Sequence, residues 1–227
     1  MKTTLIIGAS SGIGKALAES LMQKNETVIS ISRAVPEAPY SHFYKHDILS
    51  DDELPKISEP IDGIVFCPGS INLKSFRALK KQDFLADFEL NVLSAIKCIQ
   101  FYYPNLVQSQ AASIVLYSTV AVNTGMAFHS SVAASKGAIE GLTKALAAEF
   151  APKIRVNCIA PSLTNTPLAE RLINTPEKLE ASANRHPLKR IGNDTDIANA
   201  TEFLLSEKAS WITGQIMHVD GGMSTLK

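Results

Sequence analysis

Along this chain, short apolar runs rich in β-branched residues alternate with stretches whose apolar positions recur at helical spacing. The runs at 3–8, 27–32, 42–45, 63–67, 113–118, 154–159 and 215–219 predict strands. They are apolar on both faces, as expected where helices cover both sides of a parallel sheet. Between them the pattern predicts a helix opening near Gly12, a long one over 81–106, one over 131–150 and one over 195–206. In the third, Ala134, Ala138, Leu142, Ala145 and Ala148 recur at helical spacing. Asp194 is the expected cap of the fourth. Two crossovers are short. The stretch 33–42 leaves little room for a helix and 51–60 allows about two turns, whereas a parallel crossover normally takes about a dozen residues or more. The expected fold is therefore α/β: a three-layer, doubly wound parallel sheet of about seven strands with helices on both faces. One domain spans 1–227, and the weaker pattern over 166–187 predicts a substrate lid.

Composition narrows the class of partner. With 227 residues and 45% apolar content, one α/β core can be filled. Lys and Arg number 22 and so do Asp and Glu. That balance leaves no basic footprint for nucleic acid or an anionic membrane. Cys67, Cys98 and Cys158 are scattered without metal-ligand spacing, which predicts reduced thiols in a cytoplasmic protein and no metal site. No Asp, Glu, Lys or Arg occurs over 98–135, but Pro104, Asn105, Gln108, Asn123 and Gly125 interrupt that stretch. A buried strand and a site loop fit it better than a bilayer helix.

The first candidate chemistry is Gly8-Ala9-Ser10-Ser11-Gly12-Ile13-Gly14, which joins the first strand to the first helix. Glycines here permit a tight turn and close backbone approach to a diphosphate, and the helix start presents free N–H groups. This spacing resembles the short-chain dehydrogenase/reductase form of the Rossmann fold. Further motifs resemble that family in order. His46-Asp47-Ile48 is similar to its acidic-apolar adenine contact, and Cys67-Pro68-Gly69 stands at its Asn-Ala-Gly turn, keeping the glycine. Asn91 matches its helix asparagine. Arg155-Val156-Asn157-Cys158-Ile159-Ala160-Pro161-Ser162 is similar to Arg-Val-Asn-x-Ile-x-Pro-Gly, and Val219-Asp220-Gly221-Gly222 to its C-terminal signature. At the end of the second strand stand Ser32 and Arg33 rather than an acidic residue. A guanidinium and a hydroxyl can grip a 2′-phosphate, so NADP(H) is expected over NAD(H).

The resemblance implies a small-molecule oxidoreductase acting on a carbonyl or alcohol, assembled as a homo-oligomer, a tetramer or dimer. It implies catalytic roles for Asn91, Ser118 and Lys136, with Lys136 also holding the nicotinamide ribose. Pro161, Thr164 and Thr166 would hold the carboxamide. In the family's Tyr-x-x-x-Lys helix, the tyrosine position is occupied here by Val132, which has no proton to give. His129, a water or a ribose–lysine relay are the remaining proton sources. Loss of a general acid typically costs about a hundred- to ten-thousandfold in rate. A catalytically silent, dinucleotide-binding sensor or subunit is therefore the alternative expectation.

Overall fold

Leu5 and Ile7 face one side of the first strand and Ile6 the other, and all three are buried. The same two-sidedness runs through a seven-stranded sheet in a computed structural model that describes residues 2–36 and 40–226. Its strands are β1 (Thr3–Ile7), β2 (Thr27–Ser32), β3 (His42–Lys45), β4 (Gly63–Phe66), β5 (Ala112–Tyr117), β6 (Ile154–Pro161) and, after a small pair, β9 (Ile216–Val219). All pair in parallel in the order β3-β2-β1-β4-β5-β6-β9. The small pair, β7 (Thr164–Asn165) and β8 (Gly192–Asn193), lies beyond the end of β6.

Helices cover both faces. On one, α1 (Gly12–Gln23) and α8 (Asp194–Leu205) set Leu17, Leu21, Ile197 and Leu204 against Ile6, Val28, Val65 and Val115. On the other, α3 (Ser94–Leu106) and α5 (Ser130–Phe150) set Tyr102, Cys98 and Ile139 against Leu5, Ile7, Ile64 and Ile114. Each large apolar side chain so buried contributes about 1.5–3 kcal/mol before entropy is charged. This is the expected doubly wound Rossmann architecture. The strand order reverses between β1 and β4, which opens a crevice at their carboxyl ends, the usual ligand position in such sheets. Among the described residues, no helix is long and apolar enough to cross a membrane.

The helix expected over 81–106 forms as one unbroken run, α2 (Lys81–Phe88) continuing into α3 through a π turn over Glu89–Leu93. Three local expectations need correction. The fifth strand ends at Tyr117, leaving Ser118 just beyond it. The cap of α8 is Asn193, completed by the Asp196 carboxylate; Asp194 is already helical. No helix forms over 51–60. Pro55 and Pro60 lack N–H donors there, and the carbonyls of Pro55, Ile57 and Glu59 instead accept bonds from Tyr102 and Asn105 of α3. In the other short crossover, residues 33–36 and 40–41 carry no helix, while 37–39 lie outside the described residues. The Tyr40 hydroxyl donates to Ala9 O at 2.7 Å, tying that crossover to the glycine turn.

The stretch between β7 and β8 is locally helical, with α6 (Glu170–Ile173) and α7 (Pro176–Asn184). A short α4 (Val120–Thr124) follows β5.

Candidate active site

Gly8 and Gly12 adopt φ of +86° and +54°, the left-handed region that glycine enters without strain. Gly14 faces a tighter demand, because a β-carbon there would overlap the Gly8 carbonyl oxygen. Ser11 precedes α1 without a side-chain cap, so the first N–H groups of that helix remain available to an anion. These residues open a cavity of about 450 Å³. Gly8, Ser10, Ser11, Gly12, Ile13, Gly14, Ser32, Arg33, Asp47, Ile48, Cys67, Pro68, Gly69 and Thr166 all line it. The sequence motifs therefore converge on one crevice. The Arg33 side chain is exposed at its edge, with no ion pair or hydrogen bond among the described residues. His46, passed over as a contact in the sequence, also lines this cavity, and its buried Nε2 has no partner.

A second cavity of about 370 Å³ adjoins the first through Ile13, Cys67, Gly69, Thr166 and Leu168. Lys136, Pro161, Thr164, Ser118, His129 and Val132 line it. Lys136 is buried and its Nζ donates to Tyr117 O at 2.9 Å. Burial pushes its ammonium down to about 8, partly opposed by Cys158, Cys67 and Asp87. Burial also pushes both thiols up to about 12, so near pH 8 they are neutral and lend the ammonium no negative charge. Val132 lies one turn before Lys136 on α5, half a site away in chemistry: its buried isopropyl group offers the cavity no hydroxyl.

Asn91 sits in the π turn, a widened turn frequent at functional sites. Its Nδ2 donates to Asp87 O at 2.7 Å and Ser70 Oγ at 3.0 Å, while its buried Oδ1 has no partner. A β-carbon on Gly69 would stand 3.4 Å from that Oδ1 and 3.5 Å from Lys136 Nζ. A buried acceptor and a buried ammonium thus converge beside the glycine shared by both cavities. Behind them, Asp87 accepts hydrogen bonds from Ser70 at 2.6 Å and from Ser131. Sequence reading missed this carboxylate, since an aspartate on a polar helix carries no distinguishing signal.

Ser118 lines the cavity, but its hydroxyl donates to Glu140 Oε1 at 2.5 Å. Thr119, also missed, lines the same cavity; its Oγ1 accepts from Ala121 N at 3.3 Å, which leaves its hydroxyl hydrogen uncommitted. The signal was the single-residue offset in where β5 ends. Tyr117 points to the opposite face of the sheet and bonds Thr201 at 2.7 Å, so it supplies no proton here. Tyr102 is core, and half-exposed Tyr103 packs on Phe150. His129 precedes α5 at the cavity wall. Its Nδ1 meets Ala127 O at 2.7 Å and so carries the ring hydrogen in the neutral form. His186, unmarked in the sequence, is buried with Nδ1 on Ser182 O and Nε2 on Ser162 Oγ, both at 2.8 Å.

A glycine-turn cavity merging with a lysine-bearing one, at the carboxyl end of a parallel sheet, defines a dinucleotide-type site. Known proteins agree. The family model described as enoyl-(acyl carrier protein) reductase matches residues 8–224. A 3-oxoacyl-(acyl-carrier-protein) reductase of Thermotoga maritima is 32% identical, with 98% of this chain and 97% of that protein covered. The ligand-free aldohexose dehydrogenase of Thermoplasma acidophilum superposes with a TM-score of 0.91 at 28% identity, covering 100% of this chain and 95% of that one. ElxO with NADP bound superposes with a TM-score of 0.86 at 25% identity, covering 98% of each. The chain belongs to the short-chain dehydrogenase/reductase family, whose members bind a nicotinamide dinucleotide.

Proposed function

We propose that this protein is an NADP(H)-dependent oxidoreductase interconverting a carbonyl compound and its alcohol. The observation that carries the reading is the junction of the two cavities at Gly69 and Thr166, with the buried Lys136 ammonium beside it. The residues fit the dinucleotide: the overlap a side chain at Gly14 would create and the uncapped start of α1 suit a diphosphate. The unpaired Arg33 guanidinium, with no acidic residue ending β2, favours the 2′-phosphate form. Bound nicotinamide would supply or accept the hydride.

The chain's own residues do the rest. Thr164, Thr166 and Pro161 line the nicotinamide end; Lys136 holds the ribose hydroxyls; Thr119, in place of the expected Ser118, orients the substrate oxygen by donating its free hydroxyl. The residues over 166–187 form the lid. Because Val132 has no proton, Lys136 is the proton source: its ammonium lies in the same cavity and is already weakened toward neutrality by burial. His129 is the second candidate. Asn91 acts behind Lys136 rather than on the cavity surface.

Val132 also favours a second reading, a member that binds the dinucleotide and turns over very slowly. A tyrosine-to-phenylalanine variant of ElxO with NADPH bound gives a related case of binding in such a fold. Cofactor oxidation over a panel of carbonyl compounds, with NADPH and NADH titrated separately, separates the readings. Saturable NADPH binding with turnover supports the oxidoreductase, binding alone supports the silent member, and no binding of either dinucleotide defeats both.

A further inference from the structure

The catalytic cavity has an uneven charge inventory. Lys136 stands at its floor and Arg185, just past α7, at its mouth. Among the described residues, no aspartate or glutamate lines it. The two nearby carboxylates are engaged elsewhere: Asp87 lies buried beneath Ser70 and Ser131, and Glu140 accepts from Ser118. Arg185 is exposed, and its guanidinium has neither an ion pair nor a hydrogen bond among the described residues. Leu73, Met126, His129 and Arg185 belong both to this cavity and to an outer groove of about 630 Å³, so the guanidinium stands where one opens into the other. Between the two cations the wall is largely apolar, with Val120, Val132, Leu163, Leu172 and Met223.

We infer that the substrate carries its carbonyl or alcohol at one end and an anionic group, a carboxylate or a phosphate monoester, at the other, joined by an apolar chain. Arg185 grips the anion at the mouth while Thr119 and Lys136 meet the oxygen. This rests on the proposed activity for its reacting end, and on the lining alone for its charged end. A planar guanidinium free of protein partners gains two charge-assisted hydrogen bonds from such a group at no cost in broken ion pairs. An apolar wall without acid repels neither the chain nor the anion, whereas a neutral or cationic substrate would leave Arg185 unused.

The test uses straight-chain methyl ketones ending in a carboxylate with their methyl esters, and others ending in a phosphate monoester with the parent alcohols. For the unmodified protein with NADPH, kcat/KM for the anion should exceed that for its neutral partner by about tenfold. That ratio should fall about tenfold in Arg185→Gln, through KM, and invert in Arg185→Glu. The arm that responds, carboxylate or phosphate, identifies the anion. Calorimetric binding of the same compounds, with and without NADPH, needs no turnover. Charge-selective binding lost in Arg185→Gln without turnover supports the inference and overturns the oxidoreductase reading. Turnover or binding with no preference for the anion, or a preference that Arg185→Gln leaves intact, overturns the inference alone.

Discussion

The cavity over the start of α1 turns on a backbone conformation and an uncapped helix start, whereas the cavity over α5 depends on the ends of side chains. In the first, the glycine turn, the helix N–H groups and the strand ends fix the geometry, and replacing a glycine there forces a steric conflict. In the second, what position 132 offers the cavity is decided by its side chain, a buried valine on α5. A backbone-built site constrains sequence tightly; a side-chain site can lose one group and keep its shape. The two halves of one active site therefore need not share one functional fate.

The sharpest way to break this comparison is Gly14→Ala. The added β-carbon overlaps the Gly8 carbonyl, so NADPH binding should be lost, as read by nicotinamide fluorescence, with circular dichroism checking that the sheet survives. Unaltered binding would show that the turn is not the diphosphate site. Next in size is a pair within the other cavity. Thr119→Val should lower kcat by about a hundredfold, the usual scale for one donor to the reacting oxygen, while Ser118→Ala should change it far less. A larger loss in Ser118→Ala would restore Ser118 to the substrate.

Smaller effects sharpen the first cavity. Arg33→Ala should reduce the preference for NADPH over NADH by about tenfold, the scale of one charge-assisted contact. Equal loss for both dinucleotides would mean that Arg33 does not meet the 2′-phosphate. The smallest expected effect is in pH. Lys136 is charged below about 8, and with one hydrogen held by Tyr117 O only the charged form keeps two for ribose. NADPH affinity should be flat below that value and decline by a few-fold above it, with no such step in Lys136→Met. Without cofactor the sign of stability is opposite. The folded lysine releases its proton near 8 while the unfolded one keeps it to about 10.5, so this group's contribution to stability rises with pH across that window. Chemical denaturation at several pH values measures it.

Legibility in the sequence followed the same division. The inner strands were readable because both their faces are apolar, and the glycine turn because its conformation admits few substitutes. What escaped reading was settled by tertiary contact. The chain over 51–60 is held open by Tyr102 and Asn105, more than forty positions away in sequence. The π turn at Asn91 has no residue signature. Ser118 and Thr119 are adjacent hydroxyls, and only where β5 ends decides which one Glu140 takes. Asn193 outcompeted Asp194 as the cap because Asp196 reaches back to its N–H, a register one residue earlier than polarity alone suggests.

The central claim is that the binding half is complete while proton transfer is impaired by the side chain at 132. Its most direct test is one paired measurement, NADPH binding followed by NADPH oxidation on adding a carbonyl substrate, in the unmodified protein and in Val132→Tyr. The account expects equal affinities, with oxidation faster in the variant by about a hundred- to ten-thousandfold. Equal oxidation rates, or no saturable NADPH binding in either protein, would contradict it.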